Sequence, residues 1–205
     1  MKQTKAYWTN DKIEDYLIEL LIKNCYEVLQ LTLHNYKKIK SESPDFIISS
    51  KNKKIGIEIT RAIDQNLQKV HSIRNNEFSH ISFCPTLFEN KDMSKKDIIG
   101  LLQKSEKQLI GKSYVDNELE EKVFNNIKKS IVKKNEKFMN YNKFNKNILF
   151  IHAENRVTLD IELVVQKISS FISNISLLYD CVFLKLGDYI FYFRENSYER
   201  CKIKT

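Results

Sequence analysis

Residues 43–62 read SPDFIISSKNKKIGIEITRA, and this stretch sets the architecture of the chain. Two alternating apolar runs, Asp45 to Ser50 and Lys53 to Thr60, flank a polar break at Lys51 and Asn52, the pattern of a β-hairpin. With Lys51-Asn52 as a two-residue turn, Ser50 pairs with Lys53, and counting outward along the antiparallel ladder pairs Asp45 with Glu58. Direct partners share a face, so Asp45, Ile47 and Ser49 lie with Gly56, Glu58 and Thr60. Phe46, Ile48, Ile55, Ile57 and Ile59 form the opposite, core-facing set. Two carboxylates directly opposite repel unless a cation sits between them, and a hard divalent ion is the usual remedy. A register different by one residue would separate the acids and leave a solvated hairpin end.

Upstream, Ile13, Leu17, Leu20 and Leu21 recur at helical spacing from Asn10 or Asp11, either of which can cap the N-terminus, to about Asn24. Glu14 borders the buried stripe and is a candidate third carboxylate, although the helix dipole favours an acid in the first turn whatever its function. Residues 25–34, CYEVLQLTLH, alternate with one slip at Leu29-Gln30 and predict a strand leading into the hairpin.

Downstream, residues 61–115 read as a mostly helical insertion. A short helix is expected around Ile63, Leu67 and Val70, an irregular segment from Ile81 to Leu87 is broken by Pro85, and a capping box at Ser94–Asp97 opens a helix to about Ile110. Gly111-Lys112-Ser113 lacks the upstream glycine and the preceding strand of a phosphate loop. From about Asp116 to Asn140 a long helix carries Val123, Phe124, Ile127, Ile131 and Phe138 on one arc, with Lys122, Lys129, Lys133 and Lys137 largely opposite. Lys134 falls on the edge of the apolar arc, where a lysine needs a carboxylate, an oxyanion or room to snorkel. Then follow a central strand at Asn147–His152, a helix over Asp160–Ser173, and a hairpin over 181–194 turning at Gly187-Asp188. Its Tyr189, Phe191, Tyr192 and Phe193 read as core and edge packing rather than as base-stacking groups.

The 205 residues suit a single domain with core segments at about 11–60 and 116–194 around the insertion. A formal net charge of +8 suits an anionic partner such as nucleic acid, although the general abundance of Lys and Asn could produce it without a ligand. Cys25, Cys84, Cys181 and Cys201 show no CxxC pair or framework spacing, so reduced thiols in a cytoplasmic protein are expected. His80 and Cys84 have no second pair at a spacing that would bind zinc. Met1 to Trp8 contains no apolar signal region and no run of about 18 apolar residues occurs, so neither secretion nor a membrane partner is expected.

A helix with an early acid, strands, Pro44-Asp45, Glu58 after the apolar IGI run, and then helix and strand resembles the PD-(D/E)xK nuclease superfamily, the restriction-endonuclease-like fold. The likeness covers roughly 11–60 and 116–152, and its motif is short. It implies an α/β fold with a mixed central sheet flanked by helices. It also implies metal-ligand roles for Asp45 and Glu58, with Glu14 as an extra ligand and the Ile59 carbonyl completing the shell. Thr60 stands where the family's catalytic lysine belongs, and a hydroxyl cannot supply a positive charge to a developing oxyanion. Lys134 is the preferred substitute, with Lys69 second and Arg61 third; the run from Ile131 through Lys134, Lys137 and Tyr141 to Leu149 resembles a helix-to-strand signature of some members.

The implied activity is hydrolysis of DNA phosphodiesters with Mg²⁺, or Mn²⁺ in its place, serving host defence or a mobile element. The hard oxygen ligands favour these ions. Lys51, Lys53, Lys54, Lys129, Lys133 and Lys137 would hold phosphates without reading sequence. Cutting both strands commonly uses a symmetric homodimer, for which no stretch marks an interface. The departure at Thr60 leaves three alternatives open: an inactive nucleic-acid- or partner-binding module on the same fold, a toxin-like ribonuclease, and an unrelated α/β interaction protein.

Overall fold

A computed structural model describes residues 10–29, 31, 37–41, 43–50, 53–88, 93–153, 159–194 and 197–204. It divides into two compact units, one of Ile63–Leu119 and the other of the described residues before and after that span.

The larger unit is a seven-stranded sheet. Its elements in chain order are α1 (Asn10–Cys25), β1 (Lys37–Lys40), β2 (Phe46–Ser50), β3 (Lys53–Ala62), α4 (Glu118–Lys137), β6 (Lys146–Ala153), α5 (Ile161–Ser173), β7 (Cys181–Leu186), β8 (Tyr189–Arg194) and β9 (Ser197–Lys202). The strand order is β1-β2-β3-β6-β7-β8-β9. Antiparallel pairing predominates, with a parallel centre where β6 lies between β3 and β7. The smaller unit holds α2 (Gln65–Glu77), α3 (Lys95–Gln103) and a two-stranded parallel ladder of β4 (Ser82–Phe83) and β5 (Gln108–Leu109) around Leu67, Val70, Phe88, Ile98 and Leu102.

The hairpin has the register that its turn length predicts: Ser50 opposes Lys53 and Phe46 opposes Ile57, so one further step brings Asp45 opposite Glu58. Phe46, Ile48, Ile55, Ile57 and Ile59 are buried together with Leu17, Ile18 and Leu21 of α1, as the alternation requires. Burying such side chains stabilises by about 1.5–3 kcal/mol each, and a one-residue slip would turn the whole set into water, so the core fixes the register. Ile148, Phe150 and Phe183 extend this face across the parallel strands. The other face takes α4, whose Val123, Ile127 and Ile131 are buried as the helical arc predicts, and α5, capped by Asp160.

Several boundaries differ from the sequence expectation. The strand expected at 25–34 is not formed where it is described: α1 runs to Cys25, the Leu29 N–H bonds to the Cys25 carbonyl, and Leu21, Cys25 and Leu29 are buried at a four-residue period. Gln30 and residues 32–36 lie outside the described residues. The strand preceding β2 is instead Lys37–Lys40, whose KKIK carries a single apolar residue and so no alternation to detect. β3 runs two residues beyond Thr60 to Ala62. The capping box at Ser94 and Asp97 is present, but α3 stops at Gln103 rather than Ile110, because Gln108 and Leu109 pair with β4. The expected short helix is longer, Gln65–Glu77, with Asp64 capping its first turn. β9, polar and mostly exposed, adds an edge that the sequence did not announce.

Among the described residues no helix is long and apolar enough to cross a membrane.

Candidate functional site

Asp45 lies one residue before β2, where the chain has just left Pro44, and its Oδ2 accepts a 2.6 Å hydrogen bond from the Ile59 N–H. The carboxylate thus extends the ladder by one rung and stays at the end of the hairpin beside Glu58. Pro44 can sit so low over β3 because Gly56 has no side chain: a Cβ there would lie 2.9 Å from Pro44 Cγ and 2.6 Å from the Phe144 ring.

Glu58 is 3 % exposed, in mid-strand on the face that meets α4. Its Oε1 accepts hydrogen bonds from the Lys134 ammonium, which forms an ion pair with it, and from the Tyr141 hydroxyl at 3.1 Å. Its Oε2 is buried and has no hydrogen-bond partner. Lys134 owes this position to its place at the edge of the α4 stripe, one turn beyond the buried Ile131, so that its stem crosses apolar surface before the ammonium reaches the acid. The Tyr179 hydroxyl donates to the Lys134 carbonyl at 3.4 Å, and Phe138 packs on Tyr179 with ring centroids 4.6 Å apart.

The electrostatics follow from burial of like charges. The Asp45 carboxyl is pushed up to about 6, first by burial and then by the Glu58 carboxylate; the Ile59 N–H and Lys134 oppose this, and Glu14 adds a further push. Burial and Glu58 raise the Tyr141 hydroxyl to about 12, which keeps it protonated as a donor. Tyr179 is raised as well, by burial and then by Glu58.

Because the folded chain holds the Asp45 proton more tightly than the unfolded chain, this group's contribution to stability is greatest at low pH and is lost as pH rises through about 6. His152 acts in the opposite sense: burial and then Lys185 and Arg61 push it down to about 4, so its contribution is lost as pH falls below the ordinary histidine range. Asp45→Asn therefore isolates the first effect. In chelator at pH 7.5 the variant should melt above wild type, and the gap should narrow as pH falls below about 6 and close only below about pH 4, where the unfolded chain also holds the proton. A gap independent of pH would refute the assignment.

Thr60, half-buried, shares the Glu58 face of β3, whereas Arg61 is turned to the opposite face by the two-residue period. Lys69 is exposed on α2 of the smaller unit. Lys134, the preferred cation for the place that Thr60 leaves, stands beside Glu58. Glu14 is half-buried and near enough to act on Asp45, but no three His, Cys, Asp or Glu side chains converge as a metal cluster among the described residues. Lys53 and Lys54 are exposed at the far end of β3, about 13 to 16 Å from Glu58 at some 3.3 Å per residue, and Lys51 lies outside the described residues. Lys129 and Lys133 line a depression with Asn125, Lys128, Val132 and Glu136 on the outward face of α4, and Lys137 is also exposed.

Two groups at the site went unassigned in the sequence reading. Tyr141 has a trace, standing in the run from Ile131 to Leu149 that resembles a helix-to-strand signature, but without a role there. Tyr179 had none, since it follows α5 in a loop whose position depends on tertiary packing.

The donor set suits a divalent cation: the Glu58 carboxylate close enough to Asp45 to raise the proton affinity of Asp45, one buried Glu58 oxygen without a hydrogen-bond partner, and the Lys134 ammonium beside the two acids. Compared with known proteins, the chain matches no family model, no curated protein and no solved structure.

Proposed function

We propose that this chain is a Mg²⁺-dependent nuclease that hydrolyses DNA phosphodiester bonds on a restriction-endonuclease-like core. The observation that carries this reading is the ion pair between Lys134 and Glu58, which brings a positive charge to the second acid although Thr60 stands at the usual lysine position. The order of elements supports it: α1, the antiparallel meander β1–β3, α4, and then β6 parallel to β3.

Asp45 and Glu58, with the Ile59 carbonyl, would hold the cation. When bound, it supplies Lewis-acid activation of water and neutralises charge on the phosphate and the leaving oxygen. The chain's own groups do the rest. Lys134 is a compact point charge with three donors, held beside Glu58, from where it would move to a bound phosphate and stabilise the developing oxyanion. The Ile59 N–H holds Asp45 in place. Exposed lysines of α4 contribute affinity for phosphates and no sequence preference.

Supercoiled plasmid and tRNA incubated with Mg²⁺ or Mn²⁺ test the proposal. Wild type should nick and linearise the plasmid, while Asp45→Ala and Glu58→Ala should each cut at least about a thousandfold more slowly, as expected on losing metal-held charge stabilisation. Equal residual cleavage by wild type and both variants would sink it. Cleavage of tRNA alone would transfer the activity to RNA.

A further inference from the structure

The two oxygens of Glu58 are treated unequally. Oε1 carries two donors, the Lys134 ammonium and the Tyr141 hydroxyl, while the buried Oε2 carries none. The terminal torsion of a glutamate is broad and nearly two-fold, so one flexible lysine would not by itself decide which oxygen faces the site. Tyr141 is a stiffer anchor. Its ring lies 6.2 Å from that of Phe138, which packs on Tyr179, which in turn bonds to the Lys134 backbone, so the hydroxyl is referred to the same end of α4 that carries the lysine.

We infer that Tyr141 is a positioning residue for the cation site: by donating to Oε1 it holds Glu58 with Oε2 presented as the ligand oxygen, and it keeps that orientation when the Lys134 ammonium leaves for a substrate phosphate. A lysine that both held the carboxylate and served the phosphate would release one on reaching the other; the tyrosine separates the two tasks. The inference rests on the reading of Asp45 and Glu58 as metal ligands.

Tyr141→Phe removes the hydroxyl and keeps the ring on Phe138. Direct Mn²⁺ binding, followed by the paramagnetic signal of the free ion, should weaken about 10- to 100-fold, the usual effect of losing an outer-shell partner. The Mg²⁺ concentration for half-maximal plasmid cleavage should rise in proportion, with the rate at saturating Mg²⁺ within about threefold of wild type. Glu58→Gln, measured alongside, should bind no Mn²⁺ at this site. Mn²⁺ affinity of Tyr141→Phe equal to that of wild type would overturn the role of Tyr141 and leave the nuclease reading standing. Loss of saturated rate with unchanged Mn²⁺ affinity would also overturn it, placing the hydroxyl on substrate instead. A wild type that binds no Mn²⁺ would overturn both.

Discussion

Lys134→Met is expected to slow cleavage by about 10²–10³-fold and to lower the melting temperature by on the order of 10 °C. The side chain keeps its length and apolar stem and loses only the ammonium, so what changes is the charge facing Glu58. That carboxylate is 3 % exposed, and removing one partner of a buried ion pair costs about 3–5 kcal/mol because the other charge is left uncompensated. For a chain of this size each kcal/mol moves the midpoint by roughly 2–4 °C. Loss of a preorganised charge at the reacting phosphate should independently slow the reaction by about 10²–10³-fold. A second substitution separates the two effects. Glu58→Gln with Lys134→Met replaces the ion pair by a neutral one and should recover most of the lost stability while remaining inactive, giving a coupling well above ~1 kcal/mol. Added Mg²⁺ should raise the melting temperature of Lys134→Met more than that of wild type, since the ion then supplies the positive charge that Glu58 has lost. A single variant that melts within about 2 °C of wild type and cuts at the wild-type rate would remove Lys134 from both roles.

Gly56→Ala is expected to be disproportionately harmful for a single methyl group. In a strand interior the exchange should by itself favour alanine by roughly 0.5–1 kcal/mol. Here the new Cβ would meet Pro44 Cγ at 2.9 Å and the Phe144 ring at 2.6 Å, closer than carbon atoms can approach. Phenylalanine can swing aside in part; the pyrrolidine ring cannot without moving the backbone of the next residue, which is Asp45. Overpacking of this kind costs about 1–3 kcal/mol, so the melting temperature should fall by several degrees. The Asp45 carboxylate should shift relative to Glu58 and lower cleavage at least about tenfold. Phe144→Leu in the Gly56→Ala background should relieve the ring contact and recover stability more than activity, because Pro44 still bears on Asp45. Wild-type activity in Gly56→Ala would show that the position of Asp45 does not depend on this close approach.

The hairpin was legible because its information is local. The period of two assigns Phe46, Ile48, Ile55, Ile57 and Ile59 to one face, the turn length fixes the register, and the register alone brings Asp45 and Glu58 together. The same applies to the apolar arc of α4, the edge position of Lys134 and the β7–β8 turn at Gly187-Asp188. Where the signal was weak or two periods competed, the reading failed. Residues 25–29 satisfy a strand alternation as well as a helical period, and burial of Cys25 and Leu29 beside α1 decided for the latter. KKIK has too little apolar content to reveal a strand, and it pairs because β2 offers a free edge. α3 stops at Gln103 because a long-range ladder with Ser82 and Phe83 claims the residues beyond it.

By itself, then, the sequence determined which residues could share a face: two acids across a ladder, and a lysine on the edge of an apolar arc that needs a carboxylate, an oxyanion or room to snorkel. Only the tertiary structure decided that Lys134 and Tyr141 converge on one oxygen of Glu58 and leave the other bare. The physical reason is range. Periodicity and turn geometry act over a few residues, whereas the contact between positions 58 and 134 exists only because α4 packs its apolar stripe on the face of the sheet opposite α1 and carries the ammonium across.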